Sequence, residues 1–193
     1  MIDRRGLLIG AAAAALFPGD AGAAAPDYTK PILIWPGALS RAVRRYRNGL
    51  HEIAARIGPR VSVLPSDSGT DGWEEVAEYC IQRKVGGRVL IGHSNGVLAC
   101  TKLAGALKPH GIKVAICAID KTLLWCPPLG SNVVACAEIY AGLSRVRFGD
   151  DFKGAYFKWD FEADSHVGVT YNPHAQRLAA NFAKNWGRNL GII

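Results

Sequence analysis

Apolar positions along the chain follow two alternating rhythms. Short apolar runs bounded by turn residues read as strands: Ile32-Leu33-Ile34-Trp35, Val61-Ser62-Val63-Leu64, Arg88-Val89-Leu90-Ile91-Gly92-His93, and Lys113 to Ile119. Between them the spacing is helical. Residues 40 to 57 place Val43, Tyr46, Leu50, Ile53, Ala54 and Ile57 on one face and stop at Gly58-Pro59. A second helix opens at Asp71 or Gly72, carries Trp73, Val76, Ala77, Tyr79, Cys80 and Ile81, and ends near Gly86-Gly87. A third spans Asn95 to Leu107. Val133 to Tyr140 and Ala155 to Trp159 are expected to be strands, and Pro173 to Trp186 a last helix with proline near its first position. Strands apolar on both faces, alternating with helices, predict a mostly parallel sheet covered on both sides, a three-layer α/β/α sandwich. Right-handed crossovers bring every strand's C-terminal end to one edge, where open sheets of this kind bind ligands.

The first 25 residues do not fit this alternation. A short basic region with Arg4-Arg5 precedes an apolar core from Leu7 to Phe17, Pro18-Gly19 breaks it, and small residues to Ala25 follow. This is the layout of a secretory signal peptide, with Ala21-Gly22-Ala23 or Ala23-Ala24-Ala25 as the cleavage site. Arg4-Arg5-Gly6-Leu7-Leu8 resembles the twin-arginine export motif, with Asp3 where a hydroxyl residue is usual. The apolar run is too short to span a bilayer comfortably. The expectation is a periplasmic or secreted protein with no stable membrane insertion once the signal is removed, and one domain over residues 26–193.

Composition agrees with a single globular domain: of 193 residues 49% are hydrophobic and 20% charged, which excludes a disordered chain. The net charge of +7 is spread along the sequence and no basic-aromatic motif accompanies it, so no nucleic-acid partner is expected. The one local cluster, Arg41, Arg44, Arg45 and Arg47, is either a solvated helix face or an anion site. The five cysteines show no metal spacing. Cys100 and Cys117 read as small core residues, while Cys126 and Cys136 flank a Pro-Pro-Leu-Gly loop and are candidates for pairing in an oxidising compartment.

The chemistry concentrates at Gly92-His93-Ser94-Asn95-Gly96, a G-x-S-x-G sequence between an apolar strand and an alanine-rich helix. Such a sharp strand-to-helix turn raises the serine hydroxyl above the sheet and aims a helix N-terminus at the reacting centre. Serine needs a base within hydrogen-bond reach. His166, between the last strand and the last helix, returns to the same sheet edge. His174 is its rival in the first turn of that helix. His51 and His110 read as surface residues, and His93, inside the turn, would point the wrong way. For the carboxylate that orients the imidazole, Asp120 ends the strand after the nucleophile's helix and gives the chain order Ser, Asp, His. Asp150 and Asp151 are alternatives, then Asp164 or Glu162. The oxyanion donors would be the N–H of Asn95 and that of Gly37 or Ala38, since Pro36 has none. Trp35 and Trp125 are candidates either for the wall of the acyl pocket or for packing. No metal or cofactor is implied.

Together, Gly92 to Gly96, the Trp-Pro-Gly loop at 35–37, Ile119-Asp120 and Ser165-His166-Val167 resemble the α/β-hydrolase superfamily over most of residues 30 to 188. Small lipase-like or thioesterase-like hydrolases without a lid are similar, and there too a helix beginning with proline often follows the histidine. The resemblance implies the α/β-hydrolase fold in minimal form, with no cap domain. It implies hydrolysis of a small acyl ester or thioester through an acyl-enzyme on Ser94, with His166 and Asp120. An amidase or peptidase on the same residues, and a catalytically silent binding protein of the cell envelope, are the alternatives. The chain departs from the pattern in being short and in lacking a clear acid just after the penultimate strand.

Overall fold

A computed structural model describes residues 27–37, 44–64, 71–121, 127–141, 152–161 and 164–193, without the side chains of 44–48. The expected signal segment, Ala38, Trp125, Cys126, Asp150, Asp151 and Glu162 lie outside these residues, as do Arg41 and the side chains of Arg44, Arg45 and Arg47.

The alternation of strands and helices builds β1 (Ile32–Trp35), α1 (Arg44–Ile57), β2 (Val61–Val63), α2 (Trp73–Gln82), β3 (Gly87–His93), α3 (Gly96–Leu107), β4 (Lys113–Ile119), β5 (Val133–Tyr140), β6 (Ala155–Asp160), α4 (Gly168–Tyr171) and α5 (Pro173–Asn189). The six strands form one sheet in the order β2-β1-β3-β4-β5-β6, and every pair is parallel. Two short elements were not anticipated, a 3-10 turn at Lys108–His110 and helix α4. Helix α2 also stops ahead of the expected Gly86-Gly87. Lys84 takes a left-handed φ of 50°, and the Val85 N–H donates back to the Cys80 carbonyl at 3.1 Å, closing the helix without a glycine.

Strand residues alternate between two apolar layers. Ile32, Ile34, Val89, Ile91, Cys117 and Ile119 join Leu50 and Ile53 of α1 and Ala179 and Phe182 of α5. Leu33, Leu90 and Ile116 join Val76 and Cys80 of α2 and Cys100, Leu103 and Leu107 of α3. The connection from β1 leads outward to β2, whereas the next ones lead back across the sheet, so right-handed crossovers place α1 on one face and α2 and α3 on the other. The strand order therefore reverses between β1 and β3. In open sheets of this kind ligands bind beside the loops that follow two such strands.

Close approach of α3 to β1 at that reversal point requires glycine at position 96. A Cβ on Gly96 would lie 2.3 Å from the Trp35 carbonyl oxygen and 2.8 Å from that of Pro36, both backbone atoms that cannot yield cheaply. Gly96→Ala is expected to cost about 3 kcal/mol by overpacking and to lower the melting temperature by roughly 10 °C. Gly105→Ala on the same helix, where nothing lies within 4 Å, should instead raise stability through helix propensity. Thermal melts of the two variants followed by circular dichroism check the contrast.

The end of α5 reaches the opposite rim of the sheet. Leu190 lies against Gly87 at the start of β3, Arg60 Nη1 donates to the Ile192 carbonyl at 3.5 Å, and Ile193 packs on Gly187. The buried thiols are inert in this scaffold: burial pushes Cys117 up to about 12 and Cys136 well above the usual thiol range. Cys136 is free and fully buried within β5, and its expected partner Cys126 lies outside the described residues. Among the described residues no helix is long and apolar enough to cross a membrane.

Candidate active site

The turn after β3 has the expected strained backbone. Ser94 adopts φ 55°, left-handed for a residue with a side chain, and its N–H donates to the Ile119 carbonyl of β4 at 3.0 Å. Val97 N–H turns back to the Ser94 carbonyl at 3.2 Å and starts α3. The hydroxyl side chain is almost buried, with 8% of the residue exposed. The loop after β1 presses on it, since a Cβ on Gly37 would sit 2.6 Å from Ser94 Cβ and 3.1 Å from its Oγ. The loop after β1 therefore packs directly on the Ser94 side chain at Gly37. Asn95 is half-buried at the N-cap of α3.

One strand over, Asp120 ends β4 with a second left-handed kink, φ 36°. Its N–H donates to the Ile139 carbonyl at 2.7 Å, and its Oδ1 accepts from the Ala141 N–H at 2.9 Å, so the neighbouring strand β5 fixes both backbone and carboxylate. Oδ2 is left for His166, whose Nδ1 lies 2.6 Å away. The side chain of Asp120 is fully buried and that of His166 is 19% exposed. Just beyond Asp120, Lys121 forms a buried ion pair with Glu138 at 3.8 Å; Glu138 also accepts from the hydroxyls of Tyr140, at 2.7 Å, and Tyr156. Burial, with Glu138 adding to it, raises both phenols. This buried polar network had no signal in the sequence pattern.

The His166 loop is held by its own capping residues. Ser165 Oγ accepts from Gly168 N–H at 2.9 Å, and Asn172 Oδ1 accepts from His174 N–H at 2.8 Å and Ala175 N–H at 3.3 Å as the N-cap of α5. Asn172 Nδ2 donates to Asp164 Oδ2 at 2.7 Å. Asp164 therefore ties down the loop instead of orienting His166. His174, the rival base, is exposed at the start of α5 with its ring edge-on to Phe161 at 5.7 Å.

Two expectations need correction. Trp35 is fully buried in the layer shared with α2 and α3, and its indole N–H donates to the Asp71 carbonyl at 3.1 Å, so it is a packing residue and not a pocket wall. His93 does not turn away from the site. Its ring stacks on that of His166 with centroids 4.8 Å apart and planes 29° apart, and its Nε2 lies 3.0 Å from the His166 carbonyl oxygen. Burial, reinforced by the nearby His166, pushes His93 down to about 4, so it is neutral at neutral pH.

The register His93↔Ile119 places Ser94 and Asp120 side by side at the C-terminal rim, and Asp120 and His93 both hold His166 to that rim. Among the described residues, no hydrogen bond joins Ser94 Oγ to His166. Unliganded sites often close this contact only when substrate arrives. No group of three metal-ligating side chains occurs among the described residues.

No family model matches the chain, and no curated protein matches it. In backbone it is similar to a solved protein from Xanthomonas campestris pv. campestris, a candidate hydrolase of the alpha/beta superfamily, at 16% sequence identity and a TM-score of 0.49 over 81% of this chain and 97% of that one.

Proposed function

We propose that the protein is an exported serine hydrolase that cleaves carboxylic ester or thioester bonds of small acyl substrates through an acyl-enzyme on Ser94. The observation that carries this reading is the 2.6 Å contact between Asp120 and His166 at the rim where the strained Ser94 turn also ends. With its Nδ1–H donated to Asp120, the imidazole keeps Nε2 bare and able to accept a proton. Ser94 Oγ attacks the acyl carbonyl while His166 Nε2 takes its proton. The Asn95 N–H and that of Gly37 or Ala38 stabilise the oxyanion. The imidazolium protonates the leaving alcohol or thiol, and a water deprotonated by His166 then releases the acid. Two strained non-glycine residues, Ser94 and Asp120, at adjacent strand ends favour a site over a plain structural turn.

Labelling the full chain with a fluorophosphonate, followed by mass-spectrometric mapping, tests this. A single adduct on Ser94 is the expected result. A folded chain that stays unlabelled at Ser94 would instead be a silent scaffold of the cell envelope.

A further inference from the structure

We infer that His93 is a positioning residue for the reaction: its ring is a seat for His166, gripping the His166 main chain through Nε2–H and the His166 ring by stacking. The inference rests on the reading of His166 as the base.

Three observations meet at this side chain. The backbone carbonyl of His166 can only accept, so the 3.0 Å contact fixes the His93 proton on Nε2. The ring stack at 4.8 Å restrains the His166 imidazole through its face, while Asp120 grips Nδ1 on its edge. The third is a cost: His93 is 1% exposed, and its Nδ1 is a buried polar atom with no hydrogen-bond partner among the described residues. A buried acceptor without a partner destabilises a fold, and native structures rarely keep one without a reason. An apolar side chain of similar volume would fill the space and remove that cost. It would also lose the donor that holds the His166 carbonyl. The unpaired Nδ1 is the consequence of using a neutral ring as a one-sided donor.

Neutrality matters to the chemistry. When Ser94 passes its proton to His166, an imidazolium forms against the His93 ring. A neutral ring places no second positive charge there, whereas lysine or arginine in this position would. His93 is also covalently adjacent to Ser94. The base is thereby referenced to the backbone that carries the nucleophile, and Asp120, from β4, supplies the second anchor.

Two space-filling variants of the full chain separate the seat from simple packing. His93→Phe keeps the ring but cannot donate, and it removes the unpaired nitrogen. His93→Gln keeps an amide N–H that can reach the same carbonyl. Turnover of a p-nitrophenyl ester, thermal melting and the low-field proton NMR signal of His166 Nδ1–H are followed in each. Loosening of the base is expected to lower kcat of His93→Phe by roughly 10- to 100-fold with KM within about twofold, while its melting temperature holds or rises. His93→Gln is expected to keep more turnover than His93→Phe. A His93→Phe chain with kcat within about twofold of the parent overturns the inference, and so does a kcat loss that merely tracks lost stability in both variants. If neither variant folds, ring 15N signals of the unmodified chain decide: a protonated Nε2 with a bare Nδ1 at neutral pH supports the seat, and the opposite tautomer overturns it. A parent chain with no ester turnover and no adduct on Ser94 refutes the hydrolase reading itself. The seat is then judged by the His166 Nδ1–H signal alone, sharp in the parent and broadened in His93→Phe if it holds.

Discussion

Ester turnover by the Ser94→Ala chain is expected to fall roughly ten-thousand-fold or more, with the melting temperature close to that of the parent. Removing the nucleophile of a hydroxyl–imidazole–carboxylate set leaves only the contribution of oxyanion stabilisation and binding. The fold should be indifferent to the change. The hydroxyl forms none of the bonds that build the turn, which are the Ser94 N–H to Ile119 and the Ser94 carbonyl to Val97. Alanine bears the φ of 55° at the same cost as serine. Ser94→Gly extends the experiment: it should be equally inactive, yet more stable by up to about 1 kcal/mol, because glycine adopts that conformation freely. Steady-state kinetics on a p-nitrophenyl ester and thermal melts measure both. A Ser94→Ala chain retaining a tenth of the activity would remove Ser94 from the chemistry.

Asp120→Asn is expected to reduce kcat by about four orders of magnitude with little change in KM, because an amide in this place selects the wrong imidazole tautomer. The Ala141 N–H at 2.9 Å requires an acceptor, so the asparagine oxygen stays there. Its NH2 then faces His166 Nδ1 at the position now 2.6 Å away and can only donate. The imidazole proton moves to Nε2, and the nitrogen that should deprotonate Ser94 is no longer free. The same substitution at Asp150 or Asp151 should leave kcat near the parent value. Full activity in Asp120→Asn, with loss in one of those two, would move the acid to the loop after β5.

The sheet was legible because its signal is local. Apolar runs such as Val89-Leu90-Ile91 and helical spacing such as Leu50, Ile53 and Ile57 each span a few residues, and both became core. The Ser94 turn was legible for the same reason, as its glycines, strand and helix are contiguous. Asp120 required one further step, the rule that parallel strands end on a common edge. Trp35 shows where the pattern stops informing. In a strand buried on both faces, apolar identity does not distinguish a residue packed between sheet and helices from one lining a crevice. His93 was misjudged because its partner is distant in sequence. The loop that brings His166 to His93 is shaped by the Asp164–Asn172 clasp and the cap of α5, and residues 92 to 96 read by themselves carry no sign of that partner. The Lys121–Glu138 pair was hidden likewise, one charge just past the end of β4 and the other on β5, brought together only by the pairing of those strands.

The far rim of the sheet, where Leu190 rests on Gly87 and Ile192 meets Arg60, has a practical bearing on immobilisation. A tether attached at Ile193 would grip the molecule by the end opposite Ser94, Asp120 and His166. Beads or electrodes loaded through that residue would present the Ser94 rim to the bulk solution, with the whole depth of the strands separating support from reagent.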